Sequence, residues 1–419
     1  MTPFPIKIDA VFIFALLSIW ALLLYNVFLM IQGFRYGNRQ ERKMPTLLAT
    51  PAKSPKISLI VPAHDEEIVI ERTLRALLTL DYPRDKLEII VINDASTDST
   101  GAIIERVSEE DNRIKPIHTT PERGGRGKSA ALNLGLRFAT GEVIGVYDAD
   151  NTPEPYVLRY MVAVLLSDNA LGAVVGKVRT RNRFATVLTR FINIEFIAFQ
   201  WMTQAGGWNT HRVSIIPGTN FLIWKRVLEE CGGWDERAIA EDTELTIRLY
   251  QHGYFVQFVP GAVTWEQEPE TWRVWFGQRR RWARGNQYVV AKHLRHAVLL
   301  HNRAVASIVL YMLLVYGFFW LAVVLSDLVF VLSILGLAYM EIQGPFLFLW
   351  LAAYVLFVVE IMVTLTLEKN ENTIANFLLT CVMYFTYCQL WLVLVIVSTF
   401  DWVVRPGVTW KKTARSEEF

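Results

Sequence analysis

Residues 57–67 read ISLIVPAHDEE, an apolar run closed by a proline and then by a polar cluster. A short run of this length, rich in Ile and Val and bounded by turn residues, is the pattern of a strand buried on both faces. The unit returns twice, as LEIIVI at 87–92 followed by NDASTDST and as EVIGVY at 142–147 followed by DADN. Helix-like stretches lie between them, at 66–80 and 98–109. This alternation predicts a Rossmann-like, doubly wound α/β domain with a mostly parallel sheet. Ligands of such sheets bind beyond the carboxyl ends of the strands, where all three polar clusters fall.

Outward from this domain the chain becomes too apolar for an average soluble protein, at 53% hydrophobic residues with a mean hydropathy of +0.28. A net charge of +2 supports no nucleic-acid partner. Cys231, Cys381 and Cys388 are scattered, which indicates neither a disulfide framework nor a zinc site. Residues 1–34 hold an apolar run from Val11 to Ile31 that predicts a transmembrane helix. Arg35, Arg39, Arg42 and Lys43 follow and place what comes next in the cytoplasm.

Residues 35–56, with Pro45, Pro51 and Pro55, read as a basic linker, and 57–275 as the α/β domain. Residues 184–206 are aromatic-rich yet contain Arg190, Asn193 and Glu195, which suits an interfacial helix or an amphipathic core helix better than a span. A second interfacial region is expected at 276–304. Apolar runs at 305–340, 345–367 and 374–400 make up the C-terminal membrane part. A break at Ser326-Asp327 would turn the first into a hairpin, for four or five spans in all, with EKNENT at 368–373 outside. The tail 401–419, basic through Arg405, Lys411, Lys412 and Arg415, is expected in the cytoplasm. Glu360 inside an apolar run is costly in lipid and marks a water-filled path or a helix contact.

Asp148 and Asp150, at i and i+2 on a turn after a buried strand, can hold a hard divalent cation, which then neutralises nucleotide phosphates. His64-Asp65-Glu66-Glu67 and Asn93-Asp94 occupy the other strand ends, where carboxylates can bind a base and a ribose, or Asp65 and Ser96 can cap helices. GGRGKSAALN at 124–133 lacks Walker spacing, which removes support for ATP hydrolysis; Lys128 at a helix start still suits an anion. Glu241 and Asp242 sit before a helix, either compensating its dipole or accepting a proton. In QRRRW at 278–282, basic and aromatic residues close to an apolar run can be membrane anchors.

Taken in order, IxLIVPAHDEE, VINDASTDST, GKSAALN, DAD, GTN, GGWDE, AEDTEL and QRRRW resemble the membrane-embedded family 2 glycosyltransferases, which include the cellulose, chitin, hyaluronan and poly-N-acetylglucosamine synthases. The resemblance covers about residues 55–300. It implies a cytosolic GT-A-type domain between transmembrane and interfacial helices of the plasma or inner membrane. It assigns Asp65, Glu66, Asp94 and Lys128 to the uridine nucleotide, and Asp148 and Asp150 to a Mg2+ or Mn2+ diphosphate. Asp242 becomes the general base, although Ala240 stands where the family has a threonine. Gln278, Arg281 and Trp282 match the QxxRW motif, with Gln278 on the donor, Arg281 on the departing diphosphate and Trp282 on the acceptor sugar. Arg279 and Arg280 remain anchors. Gly218, Thr219 and Glu241 fall at the acceptor pocket, although GTN also reads as a simple turn.

The resemblance thus implies an inverting, processive transferase that polymerises a UDP-sugar into a β-linked exopolysaccharide and exports it. UDP-N-acetylglucosamine is the favoured donor and UDP-glucose the next. Its partners are a polysaccharide acceptor, the lipid bilayer and a small accessory membrane subunit. A non-processive transferase acting on a lipid and an inactive sugar-nucleotide sensor or export subunit are the alternatives.

Overall fold

The computed structural model describes residues 6–49, 54–122, 124–298, 302–342 and 344–404. The three strands read from the sequence form as Ile57–Ala63, Leu87–Asn93 and Val143–Val146, with Ile57–Ala63 in the middle and parallel to both. Five more extend them into one sheet, in the order Ile114–His118, Leu87–Asn93, Ile57–Ala63, Val143–Val146, Phe221–Trp224, Leu171–Thr180, Phe255–Glu266, Thr152–Pro153. The first four are mutually parallel. Phe221–Trp224 runs antiparallel to both its neighbours, so the sheet is mixed.

Side chains alternate across a strand, and each face of the sheet carries its own core. Leu59, Val61, Ile89 and Val91 build one. Ile60, Ile90, Ile92, Ile144 and Val146 build the other, which runs on without a gap through Phe191 and Ile197 to Val305, Ile308 and Leu394 of the apolar helices. Domain and apolar helices therefore share one core.

The N-terminal helix runs from Asp9 to Ala49 with Pro45 inside it, so residues 35–49 are not the linker expected; Pro51 lies outside the described residues. Packing explains the continuation. Tyr36 and Met44 are buried against the domain, and the Tyr36 hydroxyl donates to the Phe258 carbonyl while accepting from Gln257 at 3.0 Å. Two glycines let this helix close on the domain. A Cβ on Gly33 would stand 2.0 Å from the Trp201 carbonyl oxygen, and one on Gly206 would stand 2.3 Å from that of Leu29.

Residues 184–206 form the helix Val187–Phe199 and a π-helical extension, Gln200–Gly206. The polar residues singled out here are engaged within the protein. Arg190 donates to Asn376 and Asn193 to Glu371, each at 3.0 Å, and Glu195 pairs with Arg279. Among the described residues, four helices are long and apolar enough to cross a membrane: Asp9–Leu48, Arg303–Ile334, Phe346–Leu365 and Tyr387–Val404.

Two expectations for the C-terminal part need correcting. The helix Arg303–Ile334 passes through Ser326-Asp327 without a break, because neither residue lacks an N–H or forces a turn; its one irregularity is the π-helical Leu314–Phe319. Nor is EKNENT remote from the domain. Glu368 pairs with Lys177 at 3.1 Å and with Arg179, and it accepts the Trp201 indole N–H at 2.6 Å. Glu371 pairs with Arg183 at 3.2 Å. This loop thus lies on the side of the α/β domain. Glu360 is buried, at 2% exposure, in the helix Phe346–Leu365. The basic tail residues from Arg405 onward lie outside the described residues.

Backbone contact at Gly33 leaves no room for a methyl group. Gly33→Ala should cost about 1–3 kcal/mol through overpacking. Gly277→Ala, whose new Cβ would meet nothing within 4 Å, should be neutral or mildly stabilising. Thermal melts of both variants in detergent test this, and equal melting temperatures would refute the close approach.

Candidate active site

The register of the sheet aligns Ala63 with Asn93, which brings the first two polar clusters side by side. Asp65 sits at φ +52°, and its carboxylate accepts the Thr97 N–H at 2.7 Å. Burial opposes its charge, but the bonds from Thr97 and the nearby His64 hold its carboxyl below the ordinary value. The Asp94 carboxylate accepts from the Thr119 hydroxyl at 3.1 Å and the Gly125 N–H at 3.0 Å, folding the glycine-rich loop back over the strand ends. Glu66 is buried, and its N–H donates to the Thr100 hydroxyl at 2.7 Å. Neither Asp65 nor Ser96 caps a helix: the helices start at Ile70 and Thr100, without side-chain caps.

A cavity of about 390 Å³ lies next to this group. Its wall brings together Lys128, Asp148, Asp150, Gly218, Thr219, Glu241, Asp242, Gln278, Arg281 and Trp282, ten of the residues singled out from the sequence; Asp65, Glu66 and Asp94 stay outside it. The helix Trp272–Val298 supplies the last three together with Asn286. Positions 278, 281, 282 and 286 are spaced by three and four, so they share one face of that helix. The helix Glu241–Gln251 starts at the acidic pair, and Ala240 before it packs on Gly285, where a Cβ would come within 2.7 Å of the Ala240 methyl. A larger residue than alanine at 240 would meet this helix.

The cavity centres on Lys128. Its ammonium lies 2.5 Å from Asp148 and 3.7 Å from Glu241, and it donates to the Gly218 carbonyl at 2.9 Å. Burial works against the charge, but Asp148, Glu241 and Asp242 more than compensate and raise its pKa. Burial also raises the Glu241 carboxyl to about 7, with Lys128 opposing and Asp242 adding to the rise. Asp242 moves up for the same first reason, against the N–H of Thr243, which bonds its carboxylate at 2.6 Å. Thr219 braces the DAD turn: its hydroxyl donates to Asn151 and accepts the Asp148 N–H at 3.1 Å.

The arginines of QRRRW divide differently from the sequence reading. Arg279 is no headgroup anchor; it is fully buried, 3.0 Å from Glu195 and stacked on Trp282. Arg280 pairs with Asp401 of the helix Tyr387–Val404. Several wall residues were not read from the sequence as site residues, among them Glu195, Glu266, Glu268, Tyr316 and Trp391. For Glu266 and Glu268 a signal existed in WEQEPE at 265–270, dense carboxylates just after an apolar stretch. Burial raises the Glu266 carboxyl well above its ordinary value, and Glu268, Asp150 and Asp148 add to it.

Residues 55–285 match the model of Glycosyltransferase like family 2. The chain belongs to this family. Probable glycosyltransferase YdaM of Bacillus subtilis (strain 168) is 47% identical over 411 residues, 97% of this chain and 98% of that protein. The β-monoglucosyldiacylglycerol synthase of Synechocystis sp. is 31% identical over 274 residues, 64% of this chain and 55% of the relative. The poly-β-1,6-N-acetyl-D-glucosamine synthase of Staphylococcus aureus (strain COL) is 32% identical over 241 residues, 56% of each. Among solved structures, the mannosyltransferase PcManGT from Pyrobaculum calidifontis, in complex with GDP-Man and Mn2+, superposes with a TM-score of 0.59 at 22% identity, covering 90% of this chain and 99% of that one. The fold is therefore the GT-A-like fold, with apolar helices added, and the protein is a glycosyltransferase.

Gly218 gives this family member a sharp test. It sits at φ +84°, and a Cβ there would lie 2.9 Å from Asp242 Oδ2 and 3.4 Å from Lys128 Nζ. Gly218→Ala should lower sugar transfer by roughly tenfold to a hundredfold through misplacement of these groups. At this positive φ an alanine also costs about 1–2 kcal/mol, so the melting temperature should fall modestly. Full activity in the variant would mean that the Lys128–Asp242 spacing is not critical.

Proposed function

We propose that this enzyme is an inverting transferase that moves the sugar of a UDP-sugar, with UDP-N-acetylglucosamine favoured and UDP-glucose next, onto a hydroxyl of a growing β-linked exopolysaccharide and passes the product across the membrane. One observation carries the reading. A single cavity is lined both by the DAD turn and Lys128 and by Trp282 together with Tyr316 and Trp391 of the apolar helices. The donor then enters from the strand ends and the acceptor from the helices. In this reading the catalytic domain faces the cytoplasm.

Asp242 takes the proton of the attacking hydroxyl, and burial gives it the raised basicity that this task needs. Arg281 pairs with the departing diphosphate through its planar fork, and Trp282 offers an indole face to the acceptor sugar. The wall carries seven carboxylates, Asp148, Asp150, Glu195, Glu241, Asp242, Glu266 and Glu268, against the cations Lys128 and Arg281. A diphosphate would add further negative charge. This donor set fits a hard divalent cation, Mg2+ or Mn2+, which Asp148 and Asp150 would hold beside the diphosphate oxygens. When bound, the ion neutralises charge on the leaving nucleotide.

A second reading, transfer to a lipid hydroxyl, is favoured by the glycolipid synthase among the relatives, whose identity of 31% nearly equals the 32% of the polysaccharide synthase. Incubating the purified enzyme with a panel of UDP-sugars, then measuring UDP release, product size and linkage, and sugar in the lipid extract, separates the two. A polymer supports the first reading and a glycolipid of one or two sugars the second. Absence of UDP release with every donor would sink both.

Asp242→Asn should retain UDP-sugar binding and lose transfer by about 10²–10⁴-fold. Collapse of donor affinity instead would move Asp242 to the donor site. The pH profile carries an independent test. A general base works ionised, and burial raises both Asp242 and Glu241, the latter to about 7. The acid limb of kcat/KM should therefore lie above the ordinary carboxylate range near ~4, with activity falling as pH drops through it. An acid limb at or below that range would exclude the acidic pair as the base.

A further inference from the structure

Arg279 is a full guanidinium with no exposure, placed between two residues that line the cavity wall. A headgroup anchor keeps its charged end in water, so burial of this kind needs another reason. The contacts supply one. Arg279 donates to the Gln278 side-chain oxygen at 2.9 Å and pairs with Glu195 at 3.0 Å. Its guanidinium carbon stands 4.0 Å from the centre of the Trp282 ring. One rigid plane thus touches the amide of Gln278 on one side and the indole of Trp282 on the other.

Glu195 is fixed in turn. It accepts the Tyr387 hydroxyl at 2.7 Å, and that hydroxyl accepts the Trp275 indole N–H at 3.0 Å. Phe196, the residue after Glu195, lies nearly parallel to Trp282, with ring centres 6.3 Å apart and planes 20° apart. Trp282 nonetheless keeps 38% of its surface exposed. The indole is therefore held by its neighbours while part of it stays open toward the cavity.

We propose that Arg279, held by Glu195, is a positioning residue for the acceptor end of the cavity: it fixes the Trp282 indole in the orientation that receives the acceptor. The proposal rests on the reading of Trp282 as an acceptor platform. Lysine cannot replace arginine in this task. One ammonium can reach Glu195, but it has no plane to lay on the indole and no second aligned donor for Gln278. The ion pair and the platform are thus separable by substitution.

The test compares the wild type with Arg279→Lys and Glu195→Gln, as full chains in detergent. Two acceptor probes are used, a β-1,6-linked N-acetylglucosamine tetramer with UDP-N-acetylglucosamine and dioleoylglycerol with UDP-glucose. With the probe that the wild type accepts, both variants should raise acceptor KM by about tenfold. UDP-sugar affinity should stay within about twofold in both. Arg279→Lys, which keeps a charge on Glu195, should melt close to the wild type, whereas Glu195→Gln leaves the buried guanidinium without its counter-charge and should melt lower. A purely structural pair would instead impair donor and acceptor together in both variants, which overturns the proposal, as does an unchanged acceptor KM. Should Arg279→Lys fail to fold, Glu195→Gln alone must show the split, and loss of fold in both counts against a positioning role. Transfer to neither probe by the wild type would reject the acceptor reading itself, and this inference with it.

Discussion

The site depends on one half-buried ammonium. Lys128 begins the helix Lys128–Phe138, and from there it reaches Asp148 of the DAD turn, Glu241 of the acidic pair and the Gly218 carbonyl. Without a central cation, three carboxylates in a sheltered wall would repel one another, and their desolvation would go unanswered. With it they can remain close enough to work on one ligand. The glycine at 218 belongs to this constraint, because a side chain there would fill the space between Lys128 and Asp242. The glycine-rich loop that leads into the helix is tied to the first strand ends through the Gly125–Asp94 bond, so the two halves of the site are mechanically linked.

The helix Trp272–Val298 holds the far wall in register with this centre. It touches Ala240, just before the helix Glu241–Gln251, through Gly285, and Lys292 reaches both Asp235 at 2.8 Å and the buried Glu244 at 2.6 Å. Glycine contact and ion pair sit two turns apart on one helix, so they restrict both its separation and its rotation relative to Asp242. Gln278, Arg281 and Trp282 then face the cavity because of their spacing alone.

Much of this could be read from the chain. Runs such as ISLIV and LEIIVI declare themselves because both faces of a central parallel strand are apolar. The strands Ile114–His118 and Phe255–Glu266 did not, since the first contains Lys115, Pro116 and His118 and the second is interrupted by Pro260-Gly261. Motif residues on one short segment, DAD or QxxRW, were legible because local spacing puts them together. Glu195 was not: its place in the wall comes from packing of Val187–Phe199 against Trp272–Val298, about eighty residues apart in sequence. Arg279 misled for a related reason. Basic residues beside an apolar run look alike in sequence, and only the third dimension separates the one that is buried on Glu195 from one that pairs with Asp401.

The same limit applies to the apolar helices, whose composition says that they are long enough to span but not what they touch. Their contacts join them to the site. Tyr316 in the π-helical turn of Arg303–Ile334 accepts the Asn286 amide at 3.0 Å, and Tyr387 holds Glu195. Glu368 and Glu371 clamp the loop beyond Phe346–Leu365 onto Lys177, Arg179 and Arg183. Lys177 and Arg179 lie on the strand Leu171–Thr180, whose alternate residues Gly176 and Val178 line the cavity. A strand shows its two faces by strict alternation, so the same four residues bind the helices with one face and shape the cavity with the other. A shift of the apolar helices cannot leave this wall of the cavity in place. These helices are accordingly a structural component of the site, beyond any role as its support.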